Sequence, residues 1–162
     1  MPGRLELGQI REQMVEGRIE SAAIYAAFAR LGLRYGAGFQ GIASVELGKG
    51  QALARVRLPE VVAGGAEEYD LHPSVLDGAL QAALVLSEGG VDGLQQLRLP
   101  FALERVRIIA PCRREMAAWV RWAEEDKAGK LDVDLCDPEG NVCVEMRGLT
   151  TRVRSQEMRK AA

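Results

Sequence analysis

A carboxylate and a carboxamide interrupt the most apolar stretch of the sequence, PSVLDGALQAALVLS at residues 73–87. Asp77 and Gln81 are four residues apart, so a helix would place them on one face, one turn from each other. A carboxylate in such a helix is costly to bury unless it is paired or neutralised, which makes Asp77 a candidate functional residue. The structural alternative is that Asp77 or Ser74 caps the start of the helix. Gly78, beside Asp77, would let another backbone or a ligand approach closely.

Composition excludes several classes of protein. The chain has 162 residues, 21 Lys+Arg against 23 Asp+Glu, 48% hydrophobic and 5% aromatic residues. This is the usage of one globular domain, and neither a disordered chain nor a nucleic-acid-binding protein is indicated. Because no apolar run approaches the roughly 20 residues of a membrane span, we expect no membrane insertion. No signal peptide is visible in the first ten residues.

The histidine and cysteine content limits the chemistry. His72 is the single histidine, so a mechanism that needs a second histidine cannot be completed within this chain. The three cysteines, Cys112, Cys136 and Cys143, lack Cys-x-x-Cys spacing, and no metal site is expected. A reduced, cytoplasmic protein is the simplest interpretation.

The order of predicted elements indicates an α+β fold. Residues 20–31 and 73–87 read as helices, with Gly32 ending the first and Pro73 starting the second. Strands are predicted over 42–47, 51–58, 97–110, 115–124, 131–136 and 142–153. Since the later strands are linked by turns, the sheet should be mainly antiparallel. A helix that is apolar on nearly its whole circumference predicts a sheet wrapped around it. Residues 1–19 are interpreted as a lead-in and 154–162 as a frayed charged tail.

Four sequence blocks, in order, resemble the dehydratase domains of polyketide synthases. LHPSVLDGALQAAL (71–84) resembles their His-Pro-x-x-x-Asp segment, and LRYGAGFQGI (33–42) their Tyr-Gly-Pro-x-Phe-Gln-Gly stretch. LPFALERVRI (99–108) is similar to their Leu-Pro-Phe strand, and EGNVCVEMRGL (139–149) to their last strands. Ala37 stands where the family usually has proline, which leaves that loop less rigid.

The resemblance implies a fold and a reaction. Such dehydratases are double hotdogs, two curved antiparallel sheets that each surround a central helix. Residues 20–153 resemble only the C-terminal half, so a single hotdog is expected. The implied reaction removes water from a β-hydroxyacyl group on an acyl carrier protein and leaves an α,β-unsaturated thioester. The family's catalytic histidine lies in a His-x-x-x-Gly-x-x-x-x-Pro motif of the N-terminal half, which this sequence lacks.

The resemblance also implies roles for individual residues. Asp77 would be the general acid, with a pKa raised by burial and lowered by the helix N-terminus, and we expect burial to prevail. Gln81 would orient Asp77 or bind the substrate hydroxyl, its alternative being a hydrogen-bonded core amide. Tyr35 would present its hydroxyl near the site, its alternative being a core aromatic. The other expected substrate-binding residues are Gly36, Phe39 and Leu76, with loop geometry and packing as the alternative for Gly36 and Phe39. His72 and Pro73 would be structural.

Several partners and alternatives follow. The expected partners are an acyl carrier protein, whose phosphopantetheine arm carries the substrate, and the absent N-terminal hotdog half; no other cofactor is expected. Without that half the chain should be inactive and should form a homodimer or aggregate through an exposed edge. Four arginines would meet the carrier protein or line a solvated strand face: Arg105, Arg107, Arg113 and Arg114. A non-catalytic acyl-binding or scaffold module and a double-bond-shifting isomerase remain alternatives, although Asp77 with Gln81 favours dehydration.

Overall fold

One antiparallel sheet forms the body of the protein. The computed structural model describes residues 3–65, 68–88, 98–123 and 129–153. The helices are α1 (Leu7–Glu12), α2 (Ser21–Arg30) and α3 (Pro73–Ser87), and two short 3-10 turns cover Ala37–Phe39 and Glu60–Val62. The strands are β1 (Gly17–Glu20), β2 (Ile42–Gly48), β3 (Gln51–Arg57), β4 (Arg98–Ile108), β5 (Glu115–Trp122), β6 (Leu131–Cys136) and β7 (Val142–Val153). In the described residues their order is β1-β2-β3-β5-β6-β7-β4, with every pairing antiparallel.

Helix α3 is the centre of the core, as its apolar circumference predicted. It begins at Pro73 and ends at Ser87, the predicted bounds. It packs against strands β2, β3, β4, β5 and β6. Its Ala79, Ala83 and Val85 side chains are fully removed from solvent. The α+β plan of a sheet around one apolar helix is therefore confirmed.

Helix α2 covers a further part of this core. Its Ile24, Ala27 and Phe28 side chains are buried and recur at the helical spacing seen in the sequence. The helix is followed by Gly32 at φ +87°, the left-handed conformation that glycine adopts without steric cost and that commonly ends a helix. The predicted helix over 20–31 thus agrees with the structure to within one residue at each end.

Residues 3–19, within the segment interpreted as a lead-in, contain a strand and a helix that contact the sheet. Strand β1 pairs with β2, and helix α1 lies on the sheet face opposite α3. Ile10 and Met14 pack there against Leu53, Ala117 and Cys136. This packing could not be predicted from the sequence, because a six-residue helix with one or two buried side chains has no measurable periodicity. Strand β1 and helix α1 are therefore packed against the same sheet.

Strand β4 lies at an edge of the sheet and is mostly exposed. It pairs with β7 on one side, and its other side has no partner strand among the described residues. Phe101, Val106 and Ile108 are each about half exposed on it. Parts of three sequence predictions lie outside the described residues: the first residue of the 97–110 strand, the last residue of the 115–124 strand, and the tail at 154–162. Within the described ranges, no helix is long and apolar enough to cross a membrane.

The contact between α1 and the sheet predicts a measurable contribution to folding. Ile10 is 8% exposed, so Ile10→Ala should lower the free energy of unfolding by about 2 kcal/mol through lost apolar burial. The matched control is Val15→Ala at a side chain that is 81% exposed, which should change it by less than about 0.5 kcal/mol. Urea denaturation measures both. Equal effects would show that α1 is not part of the cooperative fold.

Candidate active site

Asp77 lies at the end of a chain of directed hydrogen bonds. The Gln81 Nε2 amide donates to Asp77 Oδ2 at 2.8 Å and to the Phe39 carbonyl at 2.8 Å. The Tyr25 hydroxyl donates to Gln81 Oε1 at 2.6 Å and accepts from the Ile42 backbone N–H at 2.9 Å. Gln81 is only 1% exposed, and both ends of its amide are satisfied. The sequence left two alternatives for Gln81, a hydrogen-bonded core amide or an amide that orients Asp77. In the structure, the same amide is buried in the core and donates to Asp77.

Burial raises the pKa of the Asp77 carboxyl above its ordinary value. The opposing influence is the Gln81 N–H, which stabilises the charged form and lowers the pKa by less than burial raises it. The sequence analysis predicts that the helix N-terminus lowers the pKa of Asp77. Asp77 is the fifth residue of α3 and lies beyond the first turn, in which the helix dipole acts. The influence that lowers its pKa is therefore the Gln81 N–H and not the helix N-terminus.

The start of α3 is capped by His72. Its Nδ1 accepts the Ser74 backbone N–H at 3.0 Å, which requires that nitrogen to be unprotonated. The ring also packs edge-on against Tyr69, with centroids 4.9 Å apart. The Ser74 hydroxyl donates to the Gly38 carbonyl instead of capping the helix. Neither Ser74 nor Asp77 is the cap, so capping does not explain the carboxylate at position 77.

Two glycines bring α3 close to the rest of the site. A Cβ at Gly78 would lie 2.9 Å from Val56 Cγ1 and 3.7 Å from the Gly41 backbone carbon. A Cβ at Gly41 would lie 3.2 Å from the Ser74 carbonyl oxygen. The sequence analysis expects a backbone or a ligand to approach Gly78 closely. In the structure, the Gly41 backbone and the Val56 side chain do so. It holds α3 against the 37–41 loop that supplies the Phe39 carbonyl.

Tyr35 lies beside this network. Its ring meets those of Tyr25 and Phe28 edge-on at centroid distances of 5.8 and 5.5 Å. Burial, and next the charge of Asp77, raise the pKa of the Tyr35 hydroxyl, so it remains a neutral donor at physiological pH. Tyr35 is both a packed aromatic and a hydroxyl within the electrostatic reach of Asp77.

The remaining expected residues take different positions. Gly36 is exposed and precedes the 3-10 turn, and the Phe39 side chain is exposed while its carbonyl belongs to the network. Leu76 is partly buried beside Asp77. Among the described residues, no group of His, Cys, Asp or Glu side chains is arranged to hold a metal ion.

The predicted arginine group is divided between two places. Arg105 and Arg107 lie on β4, opposite Arg147 and Glu145 of β7. Arg113 is paired with acidic side chains of the 137–140 turn, so it is not a free cation. Arg105 and Arg107 therefore lie on β4, whereas Arg113 belongs to an ion-pair group at the 137–140 turn.

Tyr25 is the site residue that sequence reasoning missed. It follows Ile24 in helix α2, which was predicted only from its apolar residues at helical spacing. Its partner Gln81 is 56 residues away, which local spacing cannot reveal. The available signal was a side chain with a polar tip inside an otherwise apolar helix, since a buried tyrosine hydroxyl needs a hydrogen-bond partner.

Comparisons with known proteins show the family of this chain. Residues 6–160 match the family model described as "Polyketide synthase dehydratase N-terminal domain". Polyketide synthases PksM and PksN of Bacillus subtilis are 38% and 40% identical over 94% and 91% of this chain, which spans 4% and 3% of their lengths. A trans-AT polyketide synthase dehydratase domain from Brevibacillus brevis superposes with a TM-score of 0.86 at 40% identity. The match covers 96% of this chain and 55% of that one.

A second solved structure is a CurK dehydratase described as an inactive mutant, in which a histidine is replaced by phenylalanine. It has a TM-score of 0.86 and 28% identity over 97% of this chain and 54% of that one. The sheet, the buried helix and these neighbours define a single hotdog domain of the dehydratase type. The chain belongs to the polyketide synthase dehydratase family, and it spans about half the length of the solved dehydratase domains.

The raised pKa of Asp77 predicts a pH-dependent cost in stability. The folded chain binds this proton more tightly than the unfolded chain, so the stability it adds is complete below the ordinary pKa of 3.8 and is lost as pH rises through the folded-state pKa. Asp77→Asn removes the titration, and its carbonyl oxygen still accepts from Gln81. We expect Asp77→Asn to be more stable than the parent at neutral pH, with the difference shrinking in acid. Urea denaturation across pH measures this, and a less stable variant at neutral pH would contradict it.

Proposed function

We propose that this chain is the acid-bearing half of a dehydratase that removes water from a β-hydroxyacyl thioester on an acyl carrier protein. The observation that carries the proposal is the Asp77 carboxyl, half-buried on α3, with a raised pKa and with one oxygen held by Gln81. Hydroxide is a poor leaving group, so the reaction needs an acid that still holds its proton near neutral pH.

The proposed reaction divides the work between two groups. A base removes the α-proton, the β-carbon–oxygen bond breaks, and the Asp77 proton passes to the departing hydroxyl to give water. The resulting Asp77 carboxylate keeps the hydrogen bond from the Gln81 N–H, which stabilises the charge that develops. Tyr35 offers a neutral hydroxyl beside the same space. The acyl group travels on the phosphopantetheine arm of the carrier protein.

The base is proposed to come from a second hotdog half. The single histidine, His72, accepts a backbone N–H through Nδ1 and packs on Tyr69, so it serves the start of α3. Two CurK dehydratases are described as inactive mutants, one with a histidine changed to phenylalanine and one with an aspartate changed to asparagine. Those descriptions support a histidine–aspartate division of labour, of which this chain carries the aspartate.

The assignment to the C-terminal half rests on sequence motifs. The matched family model is described as an N-terminal domain, whereas the His-Pro-x-x-x-Asp block resembles the second half of the family. We follow the block, because it includes the residue proposed to react. The absence of the His-x-x-x-Gly-x-x-x-x-Pro motif from the sequence supports the same choice.

Strand β4 is the proposed joint with that second half. Its free edge and its exposed Phe101, Val106 and Ile108 are the features that a partner sheet would cover. The chain alone should therefore form homodimers through β4. Light scattering that finds only monomers at roughly millimolar concentration would overturn this. The cytoplasm, where thiols stay reduced, is the proposed location.

A dehydration assay tests the proposed function. A β-hydroxyacyl carrier protein is incubated with this chain alone and with the chain extended by its upstream coding region, and mass spectrometry follows the loss of one water. We expect loss only with the extended protein, and about a 100-fold or greater decrease in rate with Asp77→Asn because the general acid is removed. The control is Asp70→Asn, at an exposed carboxylate outside the hydrogen-bond network, which should leave the rate unchanged.

Each other outcome identifies a different error. Water loss by the chain alone would place the base within it and contradict the role given to His72. Migration of a double bond without water loss would identify an isomerase. No reaction with either protein would favour the non-catalytic module.

A further inference from the structure

The hydrogen-bond chain behind Asp77 has two ends that cannot reverse. The Ile42 backbone N–H is only a donor, and the Phe39 carbonyl is only an acceptor. Tyr25 and Gln81, which lie between them, contain the groups whose direction is adjustable: a hydroxyl that rotates and an amide that can be flipped. The direction of the whole chain is therefore set by backbone groups.

Tyr25 passes this direction to the Gln81 amide. Because its oxygen accepts from Ile42, the hydroxyl proton is directed at Gln81, and Gln81 must present Oε1 to receive it. The Nε2 end then faces the Phe39 carbonyl and Asp77 Oδ2. In the flipped amide, Nε2 would face the Tyr25 hydroxyl, and Oε1 would face the Phe39 carbonyl, leaving two buried groups unsatisfied. The observed orientation satisfies every partner.

We propose that Tyr25 is a positioning residue that fixes the Gln81 amide and thereby makes Asp77 Oδ2 a permanent acceptor, so that the proton Asp77 delivers resides on Oδ1. This inference rests on the proposed function only in stating that the Asp77 proton passes to the departing hydroxyl. The orientation of the carboxyl is a property of the chain itself.

Two features suit Tyr25 to this task. Burial raises the pKa of its hydroxyl to about 12, with a smaller contribution from Asp77, so it remains a donor throughout the physiological range. Its ring is held by the rings of Phe28 and Tyr35, at centroid distances of 6.3 and 5.8 Å. The hydroxyl is thus fixed by helix α2 and by the first residue of β2, and it depends little on the position of α3.

The test is a titration of the Asp77 carboxyl by carbon-detected NMR in this chain. Tyr25→Phe keeps the ring and removes the hydroxyl, so the Gln81 donor is no longer held on Asp77 and the pKa of Asp77 should rise above its value in the parent. The matched control is Tyr69→Phe, the same change at an exposed tyrosine on the other side of His72, which should leave that pKa unchanged. An unchanged pKa of Asp77 in Tyr25→Phe would overturn the proposal.

A second background separates positioning from a general packing effect. Gln81→Met keeps the side-chain length but has no amide, so adding Tyr25→Phe to it should produce no further change in the pKa of Asp77. An equal rise in both backgrounds would show that Tyr25 does not act through Gln81. The parent chain supplies a readout even if a variant unfolds: both Gln81 amide protons are held by acceptors and should exchange slowly with solvent. Fast, averaged amide protons would also overturn the proposal.

The dehydration assay supplies the link to catalysis. In the extended protein, Tyr25→Phe should lower kcat about tenfold with little change in KM, because a proton donor has lost its orientation. The limb of the pH profile at which Asp77 loses its proton should move to higher pH. Equal loss in kcat and rise in KM without a shifted limb would indicate a merely structural role. If the unsubstituted extended protein does not dehydrate, the proposed function fails while the titration still decides the role of Tyr25.

Discussion

The structure depends on one conflict, a carboxylate on a helix that has to be buried. Helix α3 is apolar on nearly every side, and its packing against the sheet removes this apolar surface from water. Asp77 is costly to bury as a carboxylate. Its side chain is half-buried, and its pKa is raised. The same packing that stabilises the domain therefore produces the property that proton transfer requires.

The residues around Asp77 reduce the cost of its buried charge but do not remove that cost. Gln81 offers one N–H to the carboxylate, which reduces the cost of the charge and leaves the second oxygen outside the network. Gly78 and Gly41 let the helix approach the loop that supplies the Phe39 carbonyl, and Tyr25 joins this arrangement to α2 and β2. A site with few polar groups is therefore held by three separate parts of the fold.

The sequence predicted the parts of this arrangement that are local. The bounds of α3 follow from Pro73 and an apolar run that Asp77 and Gln81 interrupt, and the Asp77–Gln81 contact follows from their spacing of four residues. Tyr25 could not be found in that way, because its contact depends on tertiary packing between α2 and α3.

Two other differences have equally physical causes. The structure of residues 3–19 comes from strand pairing and from contacts with the sheet, and a six-residue helix is too short to show these in its sequence pattern. The influence that opposes burial at Asp77 is a side-chain donor one helical turn away, whereas the helix N-terminus is too distant from the fifth residue.

The most direct test of the account is the pKa of Asp77 in the unsubstituted chain, measured by NMR in the folded state and again in urea. The account predicts a folded-state pKa above the unfolded one, since burial outweighs the hydrogen bond from Gln81. A folded-state pKa equal to or below the unfolded value would contradict it. Asp77 would then be an ordinary stabilised carboxylate, without the proton that the proposed reaction requires.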